Sequence, residues 1–330
     1  MKFALTFIAV ALLFLANLFI GSVNLPVADV AAILLGNGEG NTAEFIVLGS
    51  RLPMAVTAML AGAGLAASGL MLQTAFRNPL AGPSILGISS GASLGVALVM
   101  LLLGGTISAA GFTVGGYTAV VVGAFLGSML IMGILLAIST LLKNDLMLLI
   151  AGIMIGYLVS SVIMLLNYAS SAEGVQSYVM WGMSTFNGVS LSRLPVFAAL
   201  VGSGLAIALL LVKPLNLLLL GDGYARNLGV NLQRVRNLLL LATGLLTAAI
   251  TAFCGPVSFL GLAVPHIARL LFRSDNHRVL MPATLLVGGG VALACNLLCV
   301  LPSASVLPVN AVTPVIGAPV VIWILLRRRR

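Results

Sequence analysis

The chain has 330 residues, of which 61% are hydrophobic and only 7% charged, and its net charge is +9. A soluble domain carries charge on about a quarter of its residues, so this polar surface is too small to cover a water-soluble globule. A nucleic-acid binder would interleave its cations with aromatics on one face, whereas here Lys and Arg sit in loops between long apolar runs. The bilayer is the solvent that remains. In it every backbone donor and acceptor must be paired internally, by helices or by a closed barrel. Barrel strands alternate apolar and polar residues; runs such as 3–20 and 279–301 do not. The expected fold class is therefore an all-α, polytopic membrane protein.

In chain order the apolar runs predict ten spans: 3–23, 52–72, 84–103, 117–141, 146–167, 194–213, 237–253, 257–272, 279–301 and 309–326. Each approaches the ~20 residues that cross the hydrocarbon core. Lys2 before the first run suits a signal peptide, but the run is long for one and is read as a retained helix. The second span carries Ala58, Gly62 and Ala66, a small-xxx-small ridge of the kind that lets helix backbones approach closely. Asn78-Pro79 and Gly82-Pro83 break the chain before the third span, whose Ser84, Ser89, Ser90 and Ser93 give it a partly polar surface. That surface suits either a water-lined path or hydroxyls bonded to their own backbone. Residues 168–193 form a longer connection with Tyr178 and Trp181, suited to an interface. Between the sixth and seventh spans lies a basic, glycine-rich loop, 214–236. Tyr224 to Leu228 are expected to form a short helix there, ended by Gly229. Pro265 predicts a bent or broken eighth span.

Ten spans put both termini on one side. With that side cytoplasmic, 14 of the 16 Lys and Arg residues fall inside and only Arg51 and Arg193 outside, a strong positive-inside bias. No charged residue lies near the middle of a span, which weakens a proton- or ion-coupled carrier. The chain also lacks G-x-x-x-x-G-K-[ST], so any ATP would be held by another subunit. Cys254, Cys295 and Cys299 are read as small packing residues, since two thiols four apart do not make a metal site. No cluster of His, Asp and Glu suggests a reaction, and neither an enzyme activity nor a cofactor is expected. A secondary carrier or channel working without an ATPase is the alternative.

These segments together resemble the FecCD permease family of type II ABC importers. The resemblance is carried by RLP at 51–53, AGAGLAASG at 61–69, RNPLAGPSILGISSGA at 77–92 and LGDGYARNLGV at 220–230. It continues with GPVSFLGLAVPHIARLL at 255–271, DNHRVLMP at 275–282 and LPVNAVTPVIGAPVVIWILL at 307–326. It implies a single transmembrane permease domain over 1–330 with a cytoplasmic coupling loop at 214–236. It further implies a homodimer in the bacterial inner membrane, two cytoplasmic ATP-binding subunits and an extracytoplasmic substrate-binding protein. The cargo it implies is a ferric siderophore, haem or cobalamin.

Carried over by position, Asp222, Ala225, Arg226, Leu228 and Gly229 match the family's coupling helices, and Arg51 the arginine that pairs with a carboxylate of the binding protein. Asn144, Asp145 and Leu146 fall near the family's cytoplasmic gate, with Ser89 and Ser90 as pathway candidates. Met54 stands where many members have a second arginine after RLP. Asn296, Val300 and Val306 replace charged residues, and Asn310 replaces a glycine. The second docking arginine near 300 is thus missing, and Arg193 is the substitute candidate. His266, in a stretch the family has whatever its cargo, is read as a structural hydrogen-bonding residue rather than a haem ligand.

Overall fold

The computed structural model describes residues 1–38, 40–109, 112–142, 145–302 and 306–327. Helix α1 (Lys2–Phe19) is followed by α2 (Val27–Leu34). The short α3 (Thr42–Glu44) runs through a π-helical segment, Phe45–Arg51, into α4 (Leu52–Ala75). Helix α5 (Ile88–Ala97) continues as a π turn to Leu102 and leads to a hairpin of β1 (Thr106–Ala109) and β2 (Phe112–Gly115). There follow α6 (Gly116–Leu141), α7 (Asp145–Ala169), α8 (Ala172–Gly182), α9 (Leu194–Leu210), α10 (Val212–Leu218) and α11 (Asp222–Asn227). The chain continues through α12 (Leu232–Cys254), α13 (Leu260–Phe272), α14 (His277–Val300) and α15 (Val309–Arg327).

Among the described residues six helices are long and apolar enough to cross a membrane, and α9 with α10, bent by 48° at their junction, makes a seventh. Three shorter apolar helices, 88–102, 260–272 and 309–322, complete the set. Every apolar region read from the sequence coincides with one of these helices. The bend has a local cause. Pro214 has no N–H to offer the Leu210 carbonyl, and its ring crowds that turn. Pro265 does not break its helix: α13 runs unbroken from Leu260 to Phe272 with Pro265 inside it.

Helix α4 is the axis of the bundle, buried along nearly its whole length. Its ridge of Ala58, Gly62 and Ala66 packs on α14. A methyl group added to Gly62 would lie 2.2 Å from the Gly288 carbonyl oxygen, so the two backbones touch and no side chain fits between them. Deeper polar pinning comes from Asn17 and Asn296, both buried. Asn296 Nδ2 donates to Asn17 Oδ1 at 2.7 Å, and Asn17 Nδ2 donates to the Leu13 carbonyl at 2.8 Å and the Leu293 carbonyl at 3.2 Å. These bonds tie α1 to α14 where hydrocarbon would otherwise leave amides unpaired.

The contacts define two ends of the bundle. At one, the Phe3 and Phe272 rings lie 4.5 Å apart and Arg236 reaches the Leu142 carbonyl at 3.2 Å. His277 Nε2 meets Thr74 Oγ1 there at 2.8 Å. At the other, Arg51 meets the end of α1, and Tyr117 donates to the Phe253 carbonyl at 2.9 Å. A small separate cluster of Val30, Ile33 and Val47 caps that second end. The basic side chains Arg77, Lys213, Arg226, Arg234, Arg269 and Arg278 belong to elements that meet at the first end.

Candidate functional site

Helix α11 is the expected short helix in the basic loop, and its ending follows from the sequence. Gly229 has φ +82, a left-handed conformation that costs a residue with a Cβ about 1–2 kcal/mol. Its N–H donates to the Arg226 carbonyl at 2.9 Å, and the Val230 N–H donates to the Ala225 carbonyl at 3.0 Å. This pair of bonds is a Schellman motif, which satisfies carbonyls that a helix end leaves open. Ala225 is buried and seats the helix on the bundle. Tyr224, Arg226 and Leu228 point away from it, with Tyr224 69% and Leu228 59% exposed. The Asp222 carboxylate accepts from Arg77 in an ion pair that joins the start of α11 to the loop after α4.

The element before α11 is anchored just as firmly. On α10, Asn216 Oδ1 accepts from the His277 backbone N–H at 2.7 Å and faces His277 Nδ1 at 3.1 Å, while Asn216 Nδ2 donates to Asn276 Oδ1 at 2.9 Å. His277 thus bridges α10, the start of α14 and, through Thr74, the end of α4. Nearby, Arg269 Nη1 donates to Gln73 Oε1 at 2.8 Å, and Gln73 Nε2 donates to the Leu262 carbonyl at 3.1 Å. His266 is buried and its Nε2 lies 2.8 Å from the Pro79 carbonyl. A backbone carbonyl at that distance marks a structural hydrogen bond.

After α11 the chain is tied to the gate segment. At the start of α12, Arg236 Nη1 donates to the Leu142 carbonyl at 3.2 Å, and Gln233 Nε2 donates to the Ser139 carbonyl at 3.3 Å. Leu142 is two residues before Asn144, which lies outside the described residues. Asp145 opens α7, and Leu146 is 59% exposed in its first turn. The start of α12, just after the basic loop, is therefore joined to the end of α6, close in sequence to the gate candidates. Ser89 and Ser90, by contrast, are half-buried at the start of α5: the Ser89 carbonyl accepts from Ser93 Oγ at 3.1 Å, and Ser90 Oγ sits against Gly156 of α7.

Arg51 is not the surface cation the sequence suggested. It is 3% exposed, and its guanidinium donates to the carbonyls of Leu18, Phe19 and Val23. These carbonyls lie at and beyond the end of α1, where a helix has no backbone donors left. The positive charge also complements the negative end of the helix dipole. Three of the five N–H donors of Arg51 are thus committed to backbone carbonyls. Arg193, half-exposed at the start of α9, is placed differently. Its guanidinium carbon lies 4.2 Å from the centroid of the Tyr117 ring, a cation–π contact that orients the charge while leaving it in reach of solvent. Sequence reading missed the bend at Leu211, for which Pro214 is the signal, and the Asn216–His277–Thr74 bridge, for which no local signal exists.

A polytopic helical bundle with most of its described basic residues at one end, and a short exposed helix seated there on the buried Ala225, has the build of a membrane transport subunit. Residues 9–327 match the FecCD transport family, and the chain belongs to it. It is 39% identical over 280 residues to the vitamin B12 import system permease protein BtuC of Klebsiella pneumoniae, covering 84% of this chain and 82% of that one. It is 35% identical over 324 residues to the hemin transport system permease protein HmuU of Yersinia pestis, covering 96% and 94%. Among solved structures it matches an inward-facing transporter described as of the metal-chelate ABC type, with TM-score 0.86 and 30% identity over 99% of this chain and 98% of that one.

Proposed function

We propose that this chain is the membrane-spanning subunit of an ATP-driven importer that brings a metal chelate of the corrinoid, haem or siderophore class into the cytoplasm. The relatives' cargoes, vitamin B12 and hemin, support that class. In this reading residues 1–330 act as one permease domain in the bacterial inner membrane. Two copies enclose the pathway, and both termini are cytoplasmic. Two ATP-binding subunits receive α11, and an extracytoplasmic binding protein docks at the opposite end. Asp222, Ala225, Arg226, Leu228 and Gly229 form the coupling element, Asn144, Asp145 and Leu146 the gate, Ser89 and Ser90 part of the pathway wall, and Arg193 a docking cation.

The observation that carries the reading is the exposure of Tyr224, Arg226 and Leu228 on a short helix seated on the bundle by the buried Ala225 and paired to it by Asp222 and Arg77. An exposed tyrosine and arginine on one short element are residue types enriched where binding energy concentrates on a partner. Asp222–Arg77 and Arg236–Leu142 then supply connections through which its displacement reaches the end of α4 and the end of α6. In the reconstituted complex Arg226→Glu should lower cargo-stimulated ATP hydrolysis by about two- to fivefold, the worth of one partly exposed interface charge, with folding intact. Wild-type stimulation in an assembled complex would remove α11 from the coupling role.

A further inference from the structure

On the flank of the bundle, the bend between α9 and α10 opens a groove of about 470 Å³ against the start of α12. Its walls are apolar, Ile207 and Leu210 from α9 facing Leu238 from α12, and its mouth is lined by Lys213 and Arg234. Leu210 is 79% exposed and Leu238 39% exposed, so the walls are open to whatever surrounds the bundle. Both cations are exposed and no acidic residue lines the groove. Asn231, also at the mouth, is already engaged, its side chain accepting from the Arg234 N–H at 3.0 Å.

We propose that this groove binds one anionic glycerophospholipid, its phosphate between Lys213 and Arg234 and an acyl chain along Ile207, Leu210 and Leu238. The order of residues along the two helices carries the assignment. The apolar walls belong to the ends of two spanning helices, and the cations come within a turn of where those spans stop. That is the depth at which a lipid passes from acyl chain to headgroup, and cations placed there attract anionic lipid. A water-soluble partner reaches the end of the groove where Leu228 and Gly229 after α11 line it, but not Ile207 on a helix that faces hydrocarbon. The bend contributes to the shape, because Leu211, Pro214 and Leu217 at and after it line the groove together with Leu210 before it. The inference needs only that these helices span a bilayer, and it holds whether or not α11 receives an ATPase.

The test is retention of lipid by the purified full-length chain, counted by native mass spectrometry with phosphatidylglycerol and phosphatidylcholine of matched chains. The wild type should hold one phosphatidylglycerol more tightly than phosphatidylcholine. Lys213→Gln with Arg234→Gln should weaken phosphatidylglycerol about thirtyfold, at about one kcal/mol for each cation near a headgroup, and leave phosphatidylcholine unchanged. Inorganic phosphate in millimolar excess should not displace the lipid. Equal retention of both lipids by the wild type overturns the proposal, as does displacement by phosphate, which would reduce the groove to a simple anion site. Release of the lipid on adding the ATP-binding subunit would assign the groove to that protein instead. Should the double variant fail to fold, a salt titration of the wild type decides. Phosphatidylglycerol binding must fall with salt while phosphatidylcholine binding does not, and a flat response overturns the assignment.

Discussion

Arg51 and Arg193 show how one residue type does two jobs. In the sequence they were alike: the only two cations expected on the outer face. The structure separates them by their surroundings. Arg51 closes the end of α1 with three carbonyl bonds, and Arg193 lies over Tyr117 with its charge near solvent. Arg51→Met should therefore act on the fold. It leaves buried carbonyls without donors, at about 1–3 kcal/mol each where no water replaces the arginine. A fall in the thermal unfolding midpoint of the purified permease measures this. Arg193→Glu should leave that midpoint in place. It should slow association with a binding protein at low salt, and the difference should shrink at high salt because exposed charges are screened. Association rates in the two salts decide it, and an unchanged rate at low salt would leave docking to uncharged contacts. A single sequence did not distinguish the two arginines, because the carbonyls that absorb Arg51 lie about thirty residues away along the chain and are paired with it only by the packing of α1 on the π-helical segment.

At the scale of elements, the long helices were legible because the bilayer enforces them: ~20 apolar residues must be helical or leave backbone groups unpaired. The loop helix α11 was legible for another reason, since Gly229 is a stop signal that acts locally. Replacing it by valine should therefore matter out of proportion to its exposure. A β-branched residue at φ +82 strains the backbone by about 1–2 kcal/mol. The strain is relieved by undoing the Val230–Ala225 bond and with it the last turn of α11. Gly229→Val should lower cargo-stimulated ATPase activity more than Gly229→Asn, since asparagine tolerates the left-handed conformation. Equal activities would mean that the helix end is not part of coupling. Besides α3 and the β1–β2 hairpin, the helices the sequence did not foretell are α2, α8 and α10. Each is short, of 7 to 11 residues. Such helices are marginal alone and owe their order to tertiary packing. The Asn216–His277–Thr74 bridge was invisible for the same reason, since its three members meet only when α10, α14 and α4 have docked.

For the molecule as a whole, the expected topology makes a sided prediction. In a variant lacking Cys254, Cys295 and Cys299, a cysteine placed at residue 40 should react with an impermeant reagent from outside intact cells. One at residue 223 should react only after the membrane is opened. The reverse pattern would invert the molecule and move α11 away from any cytoplasmic ATPase. The three native cysteines are buried, so their removal calls for small apolar replacements such as alanine, which keep helix packing close to its present volume. The prediction rests on the charge pattern, because Lys and Arg are held back on the side where synthesis occurs.

The contact between Gly62 and Gly288 has a mechanical consequence. Two helices whose main chains touch along a glycine seam lose close packing if they part, since no side chain stands between them to fill the gap. Helices α4 and α14, with α1 tied to α14 by Asn17 and Asn296, are expected to move as one unit. A crosslink between cysteines placed across this seam should then leave transport intact, whereas one that spans the bend between α9 and α10 should arrest it, and arrest by the first would show that the seam itself opens.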